Sequence, residues 1–180
     1  MLFDKANREL AVRVLYASLG PEAVEQARLL SSQANATMVV APAELLFGGG
    51  VLMQQIRLPK MLVKGIPIRV HVVGISFTKF RAAPEFTTEL EVGALKTDGL
   101  VFVAPEQLES EPELRAAYER AHSHPLGKLY GAVIAPSGFD VPRVLGAGAD
   151  VPVLSGGRAA MDALQAVMKP LLLDLAKQFG

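Results

Sequence analysis

The sequence predicts an α/β fold: a mostly parallel six-stranded sheet with one antiparallel hairpin and with helices on both faces. Apolar segments of strand length alternate with segments whose apolar residues recur at helical spacing, which is typical of right-handed βα units. Between residues 51 and 73, two strand patterns follow each other without a helix, and this indicates the hairpin. A chain of 180 residues that is 51% hydrophobic can bury a sizeable core, and we expect residues 1–180 to form a single domain.

The first half of the chain opens with a strand and a helix. Residues 10–17 are largely apolar, which favours a buried strand. Pro21 suits the first position of a helix, where its missing N–H loses no hydrogen bond, and helical spacing continues to about Asn35. The elements that follow are a short strand, a glycine-rich loop, a strand, a hairpin connection and a strand: residues 37–40, 41–50, 51–58, 59–66 and 68–73.

The second half of the chain consists of βα units. In order, its elements are a helix, a central strand, a helix, a central strand, a short helix, a strand and a long helix: residues 84–95, 99–104, 111–122, 129–135, 141–145, 151–154 and 158–179. The first of these strands is a nearly continuous apolar run, as expected of a strand that is buried on both faces. The last helix carries Leu164, Val167, Leu171 and Leu175 on one side, which gives it an apolar face.

Composition excludes several classes of function. The 18 basic and 18 acidic residues balance, and no basic run is present, so binding to nucleic acid or to anionic membranes has little support. The absence of cysteine excludes disulfides, thiol catalysis and cysteine-ligated metals. The chain shows no signal-peptide core and no apolar segment that could span a bilayer, so we expect a cytoplasmic protein that is not inserted in a membrane.

The turn after the first strand lies where a phosphate-binding loop would stand in a nucleotide-binding α/β protein. It reads Ser18-Leu19-Gly20-Pro21, and the pattern Gly-x-x-x-x-Gly-Lys-Ser/Thr is absent there and elsewhere in the chain. Glu22 and Glu25 follow, at the positive end of the helix dipole. The residues themselves therefore predict an ordinary strand–helix turn with a self-capped helix.

Three other segments carry candidate chemistry. His122 and His124 could hold a metal, but their place at a helix end favours helix capping. Asp140 has the position of a helix N-cap, and residues 155–158 could cradle an anion at the start of the last helix. An acidic cluster surrounds the start of the helix at 111–122, where it complements the helix dipole or forms an interaction face: Glu106, Glu109, Glu111 and Glu113.

The order of elements is that of Ras-like small GTPases, and three segments resemble the bacterial gliding-motility polarity GTPases of the MglA type. Asn7-Arg8-Glu9-Leu10, before a strand that reaches Tyr16, resembles their N-terminus. Residues 98–104 resemble their central strand, and Val153-Leu154-Ser155 with the helix that follows resembles their last strand and helix. The resemblance covers most of the chain and implies a Ras-like P-loop GTPase fold.

By the same resemblance, the nucleotide-binding motifs are degenerate. Gly20 remains in a shortened loop, the phosphate-binding Lys position falls near Val24, and the magnesium-binding Ser/Thr position falls near Glu25. A lost charge-assisted hydrogen bond costs roughly 1.5–3 kcal/mol, and a like-charge contact near 4 Å could cost about 4 kcal/mol. Asp140 keeps the place of the base-reading carboxylate without its Asn and Lys, and Ser155 begins the loop beside the guanine base.

Apolar and aromatic residues around the two switch-like segments are candidate contacts for a protein partner, although part of this set must belong to the core. In the family that the chain resembles, this surface engages regulators and effectors. The candidates are Leu46, Phe47, Val51, Met53, Phe77, Phe80 and Phe86.

These observations lead to the hypothesis of a catalytically inactive Ras/MglA-like pseudo-GTPase that acts as a protein-interaction or regulatory module and needs no cofactor or metal. The resemblance implies a roadblock-type protein, an MglA-like GTPase or another polarity or motility component as partner. One alternative is an atypical small GTPase that binds GTP or GDP with magnesium through nonstandard contacts. Another is an unrelated α/β enzyme with its pocket at the carboxyl ends of the strands.

Overall fold

The computed structural model describes residues 2–5, 8–39, 53–77, 97–122, 129–148 and 150–179. In chain order, the strands of this part are β1 (Leu2–Asp4), β2 (Glu9–Ser18), β3 (Thr37–Val39), β4 (Met53–Arg57), β5 (Met61–Val63), β6 (Ile66–Ser76), β7 (Gly99–Val103), β8 (Tyr130–Ile134) and β9 (Val153–Leu154). Its helices are α1 (Glu22–Gln33), α2 (Glu111–His122), α3 (Val141–Leu145) and α4 (Ala159–Gln178). None of these helices is long and apolar enough to cross a bilayer.

The strands form one mixed sheet in the order β3-β4-β6-β2-β7-β8-β9, with β1 paired to β2 and β5 paired to β6. The prediction of an α/β fold is confirmed, but the prediction of a mostly parallel sheet of six strands is wrong. Within the described residues, four strand pairs are parallel and four are antiparallel. The short strand predicted at residues 37–40 is present as β3, whereas β1 and β5 were not predicted. Each of these two strands has three residues, which is too short for a clear alternation of apolar and polar residues.

Helices lie on both faces of the sheet, as the sequence predicts. Val12, Val14 and Tyr16 of β2 belong to the core that α1 and α4 cover. Leu15 and Ala17 belong to a second core, which α2 and α3 cover. Side chains of a strand alternate between faces, so one strand supplies both cores.

Two contacts fix the helices of the first face on the sheet. The buried Tyr16 hydroxyl donates a 2.6 Å hydrogen bond to the Ala160 carbonyl oxygen, which ties β2 to the first turn of α4. The α1 backbone lies directly over Gly74 of β6, where a Cβ atom would lie 2.8 Å from the Ala23 carbonyl oxygen. Glycine at this position therefore permits the close approach of α1 to the sheet.

The sequence prediction placed the hairpin connection at residues 59–66, whereas the structure places an extra strand, β5, inside it. The turn is tighter than predicted, because β5 and β6 are joined by Lys64 and Gly65 alone. Both residues have positive φ angles, 48° and 80°, as two-residue hairpin turns of type I′ require. Turns of this type favour Asn, Asp or Gly at their first central position, so Lys64 gave no sequence signal for the turn.

We predict that Gly99→Ala lowers the free energy of unfolding by about 1–3 kcal/mol, because overpacking forces neighbouring side chains to move. A Cβ atom on Gly99 of β7 would overlap Cγ1 of Val167 on α4. Gly131→Ala on β8 is the matched control, since its Cβ would meet no atom within 4 Å. Urea unfolding measures both variants, and equal stabilities would contradict the close packing of α4 on β7.

Candidate functional site

A cavity of about 750 Å³ opens at the carboxyl ends of β7 and β8. The first turn of α1 forms one wall, and Gly156 and Gly157 before α4 form another. A smaller cavity of about 320 Å³ adjoins it and shares Pro21, Glu22 and Glu109 with it. Open α/β sheets bind their ligands at this edge, so the two cavities together are the candidate functional site.

The larger cavity is acidic. Four carboxylate side chains line it, and none of its described lining residues is Lys, Arg or His: the four are Glu22, Glu25, Glu106 and Glu109. These carboxylates repel phosphate groups and favour a cationic ligand. A carboxylate and a phosphate about 4 Å apart would repel each other by about 4 kcal/mol at an effective dielectric constant of 20. In the described part of the chain, no group of three or more His, Asp or Glu residues is arranged to hold a metal ion.

The turn between β2 and α1 closes on itself through a buried serine. The Ser18 Oγ accepts a 2.9 Å hydrogen bond from the Ala23 N–H and donates one of 2.6 Å to the Gly20 carbonyl oxygen. An anion at a helix N-terminus binds to free N–H groups of the first turn, and here Ser18 already engages one of them. The helix is therefore capped from within the chain, as predicted, but by Ser18, which our sequence reasoning did not identify.

The Glu22 carboxylate lies over the same turn. A Cβ atom on Gly20 would lie 2.8 Å from Glu22 Oε2, so the side chain folds back across this glycine. Glu22 Oε2 is buried and has no hydrogen-bond partner among the described residues. The space above the Gly20 turn is thus occupied by a negative group of the chain itself, which further disfavours a phosphate there.

The structure brings only some of the predicted pocket residues together. Glu25 is exposed and lines the larger cavity, and Gly20 lines the smaller one. Val24 is only 3% exposed and lies at the helix–sheet interface near Gly74, so its assignment to the pocket is wrong. The reason is its place in the buried stripe of α1, with Ala23, Ala27 and Leu30.

Asp140 and Ser155 line neither cavity. Asp140 is the N-cap of α3, where its Oδ1 accepts a 3.2 Å hydrogen bond from the Arg143 N–H, so the capping interpretation is confirmed. Ser155 is exposed, and the two glycines that follow it reach the larger cavity in its place. Both residues are therefore removed from the candidate pocket.

The acidic cluster that the sequence showed before α2 is divided in two. Glu106 and Glu109 line the larger cavity, whereas Glu111 forms a bidentate ion pair with Arg143 at 2.8 and 3.2 Å. The helix-dipole interpretation did not separate these roles. The roles differ because the β7–α2 loop lies beside α1, which brings Glu106 and Glu109 to the cavity. This is a contact between distant parts of the chain, so local sequence does not reveal it.

Most of the predicted partner contacts lie outside the described residues: Leu46, Phe47, Val51, Phe80, Phe86 and the side chain of Met53. Phe77 is described, and only 2% of it is exposed. It continues the row of Val73 and Ile75 into the core that α2 and α3 cover. Its interpretation as a partner contact is therefore wrong, because this side of β6 faces the interior.

His122 has a role within its own helix. Its ring packs against the Tyr118 ring with the centroids 4.2 Å apart and the planes tilted by 50°. Its Nδ1–H donates a 2.9 Å hydrogen bond to the Tyr118 carbonyl oxygen. This arrangement agrees with the helix-end interpretation of the sequence, while His124 lies outside the described residues.

No protein-family model matches the chain, and no curated protein matches it. The function must therefore be argued from the geometry and charge of the site and from the resemblance of short segments.

We predict that Ser18→Ala lowers the free energy of unfolding by about 1 kcal/mol, because a helix cap and a turn hydrogen bond are lost together. Ser32→Ala is the control, since the exposed Ser32 hydroxyl bonds only to the Leu29 carbonyl of its own helix. Chemical denaturation measures both variants. Equal effects would show that Ser18 does not hold the turn closed.

Proposed function

We propose that the protein is a pseudo-GTPase: a Ras-like domain without nucleotide turnover that acts as a protein-interaction or regulatory module. The observation that carries this proposal is the acidic cavity, which stands where a nucleotide would bind and has four carboxylates and no cation among its described lining residues. The hydrolysis of GTP needs the opposite arrangement, in which cations neutralise the phosphates.

The arrangement of the sheet supports the Ras-like part of the proposal. Without β1, β3 and β5, the sheet contains six strands, of which β4 alone is antiparallel to its neighbour β6. The others are parallel, and helices lie on both faces. This part of the sheet agrees with the resemblance, which places the phosphate-binding loop between β2 and α1.

The energetics of the site support the loss of nucleotide binding. Micromolar affinity corresponds to about −8.2 kcal/mol, and the phosphate contacts would have to provide much of it. Here one first-turn amide is engaged by Ser18, and the Glu22 carboxylate lies over Gly20. Two like-charge contacts of about 4 kcal/mol each would cancel the binding energy of a micromolar ligand.

The partner and the location follow from the resemblance alone. We propose a roadblock-type protein, an MglA-like GTPase or another component of bacterial polarity or motility as partner, in the cytoplasm. A module of this kind needs a stable scaffold and a contact surface, and no cofactor.

A second candidate function is an atypical small GTPase that binds GTP or GDP with magnesium. The size of the larger cavity favours it, because about 750 Å³ is within the range of small-molecule sites. The charge of the wall favours the pseudo-GTPase.

Calorimetry with GDP, and separately with GTP, in the presence of magnesium decides between the two candidates. We expect no binding in the micromolar range, because the carboxylates of the cavity repel the phosphates. A Glu25→Lys, Glu106→Lys double variant is the charge control, and it should bind inorganic pyrophosphate more tightly than the wild type does. Micromolar binding of either nucleotide to the wild type would overturn the pseudo-GTPase proposal.

The interaction half of the proposal has its own test. The tagged full-length protein should retain a roadblock-type or MglA-like protein from lysate of its native cells, as identified by mass spectrometry. A tagged unrelated α/β domain is the control. Retention of no protein beyond those held by the control would contradict the role as an interaction module.

A further inference from the structure

The two adjoining cavities at the carboxyl ends of the strands offer a ligand different surroundings. The larger one presents carboxylates, whereas the smaller one, of about 320 Å³, is lined by apolar as well as carboxylate side chains. The apolar lining of the smaller cavity consists of Leu19, Pro21, Pro105, Leu108 and Leu114. Glu22, Glu109 and Glu113 line the same cavity. One ligand can therefore contact an acidic and an apolar region at once.

The loop between β7 and α2 exposes an apolar side chain among these carboxylates. Leu108 is 37% exposed and lies between Glu106 and Glu109 in the sequence. A single exposed leucine is common on protein surfaces, but this one lines a cavity. An apolar group that enters the smaller cavity removes Leu108 from water, and this burial favours binding.

The carboxylates of the two cavities are uncompensated by side-chain cations. Within the described part of the chain, none of the five forms an ion pair: Glu22, Glu25, Glu106, Glu109 and Glu113. The positive end of the α1 dipole, equivalent to roughly half an elementary charge, offsets only a part of this negative charge. A cation that enters the cavities reduces the repulsion among the carboxylates.

Glu22, which lines both cavities, has an oxygen that lacks a hydrogen bond. Its Oε2 is buried and has no hydrogen-bond partner among the described residues. Buried polar atoms in folded proteins nearly always have a partner, because an unpaired one loses its hydrogen bonds to water without a replacement. An N–H donor of a ligand that reaches the place where the cavities meet supplies the missing hydrogen bond.

We propose that the two cavities together form a docking site for a basic segment of a partner protein, in which an arginine lies beside an apolar residue. The guanidinium enters the larger cavity, where its N–H groups donate to carboxylates in parallel pairs. The apolar neighbour enters the smaller cavity and covers Leu108. The segment is the contact of the interaction module proposed above, so its binding rests on that function and adds the chemistry of the partner.

Other charged ligands fit the two cavities less well. In the described part of the chain, no three His, Asp or Glu residues are arranged to hold a metal ion. A polyamine is cationic but has no apolar side chain for the smaller cavity. Nucleic acids and anionic membranes carry the same sign of charge as the carboxylates, which repel them.

The test is fluorescence anisotropy of the full-length protein with a labelled, capped peptide that contains two Arg-Leu pairs. A second peptide replaces both leucines by serine, and a third replaces both arginines by glutamate. The serine peptide should bind about fivefold more weakly or worse, because the apolar contact is lost, and the glutamate peptide should not bind. Binding of the Arg-Leu peptide should weaken as the salt concentration rises, because salt screens the carboxylates.

A Glu106→Gln, Glu109→Gln double variant should bind the Arg-Leu peptide about tenfold more weakly or worse, because two carboxylates of the larger cavity are lost. The matched control is Glu119→Gln, Asp150→Asn, which removes the same charge from two exposed side chains that line neither cavity. It should stay within about twofold of the wild type.

Leu108→Ser separates the apolar contact from the charge. It should weaken the Arg-Leu peptide and leave the serine peptide unchanged, a difference that a general loss of folding could not produce.

Three results would each overturn the docking site: equal weakening by the two double variants, binding of the serine peptide or of spermine at least as tight as that of the Arg-Leu peptide, or no binding of the Arg-Leu peptide. Nucleotide calorimetry on the same wild-type protein keeps this proposal apart from the proposed function. If neither nucleotide nor peptide binds, the docking site is overturned and the pseudo-GTPase proposal stands. Micromolar nucleotide binding overturns the pseudo-GTPase proposal whatever the peptide does.

Discussion

The structure depends on the central position of β2, which pairs with β6 along one edge and with β7 along the other. Both neighbours run parallel to it, from Leu10 to Ser18 against β6 and from Val14 to Ala17 against β7. The carboxyl ends of the central strands therefore meet at one edge of the sheet, and the turn after Ser18 must lie there. Because β2 is buried on both faces from Val14 to Ser18, it also aligns the two cores with each other. The position of the candidate site is a consequence of this one strand.

Two features at the carboxyl-end edge of the sheet disfavour the binding of an anion, and their free-energy costs differ. Ser18 removes one amide donor, which is worth about 1 kcal/mol. The carboxylates around the cavity contribute repulsion of several kcal/mol, because each like-charge contact near 4 Å costs about 4 kcal/mol. Repulsion therefore decides the chemistry of the site, and the closed turn adds little to it. The sequence pointed to the shortened turn and to Glu25, while Glu106 and Glu109 come from the β7–α2 loop, which lies far from the turn in sequence.

The sequence predicted the elements whose length or periodicity is clear, and it missed what depends on distant contacts. The bounds of α2 and α3 agree with the prediction, because Glu111-Pro112 and Asp140 mark their beginnings. The three-residue strands β1 and β5 leave too little pattern to recognise, although β3, which is equally short, was predicted. Motif alignment placed Val24 in the pocket, although the apolar stripe of α1 already assigned this residue to the core. No local pattern could reveal that Arg13, Arg57 and His71 are neighbours, because they meet only through the register of three strands.

The distribution of charge favours binding over catalysis. The chain is neutral as a whole, yet four carboxylates line the larger cavity at one edge of the sheet, with no basic side chain among its described lining residues. A surface on which positive and negative charges alternate is soluble but does not orient a partner. A patch of one charge sign orients a partner before contact and accelerates association. The described lining of the acidic cavity contains carboxylates, amides and apolar groups, and within it no serine, threonine, lysine or histidine adjoins a carboxylate as a nucleophile beside its base would. Such an arrangement can select and hold a charged partner, which is the role that the proposed function requires.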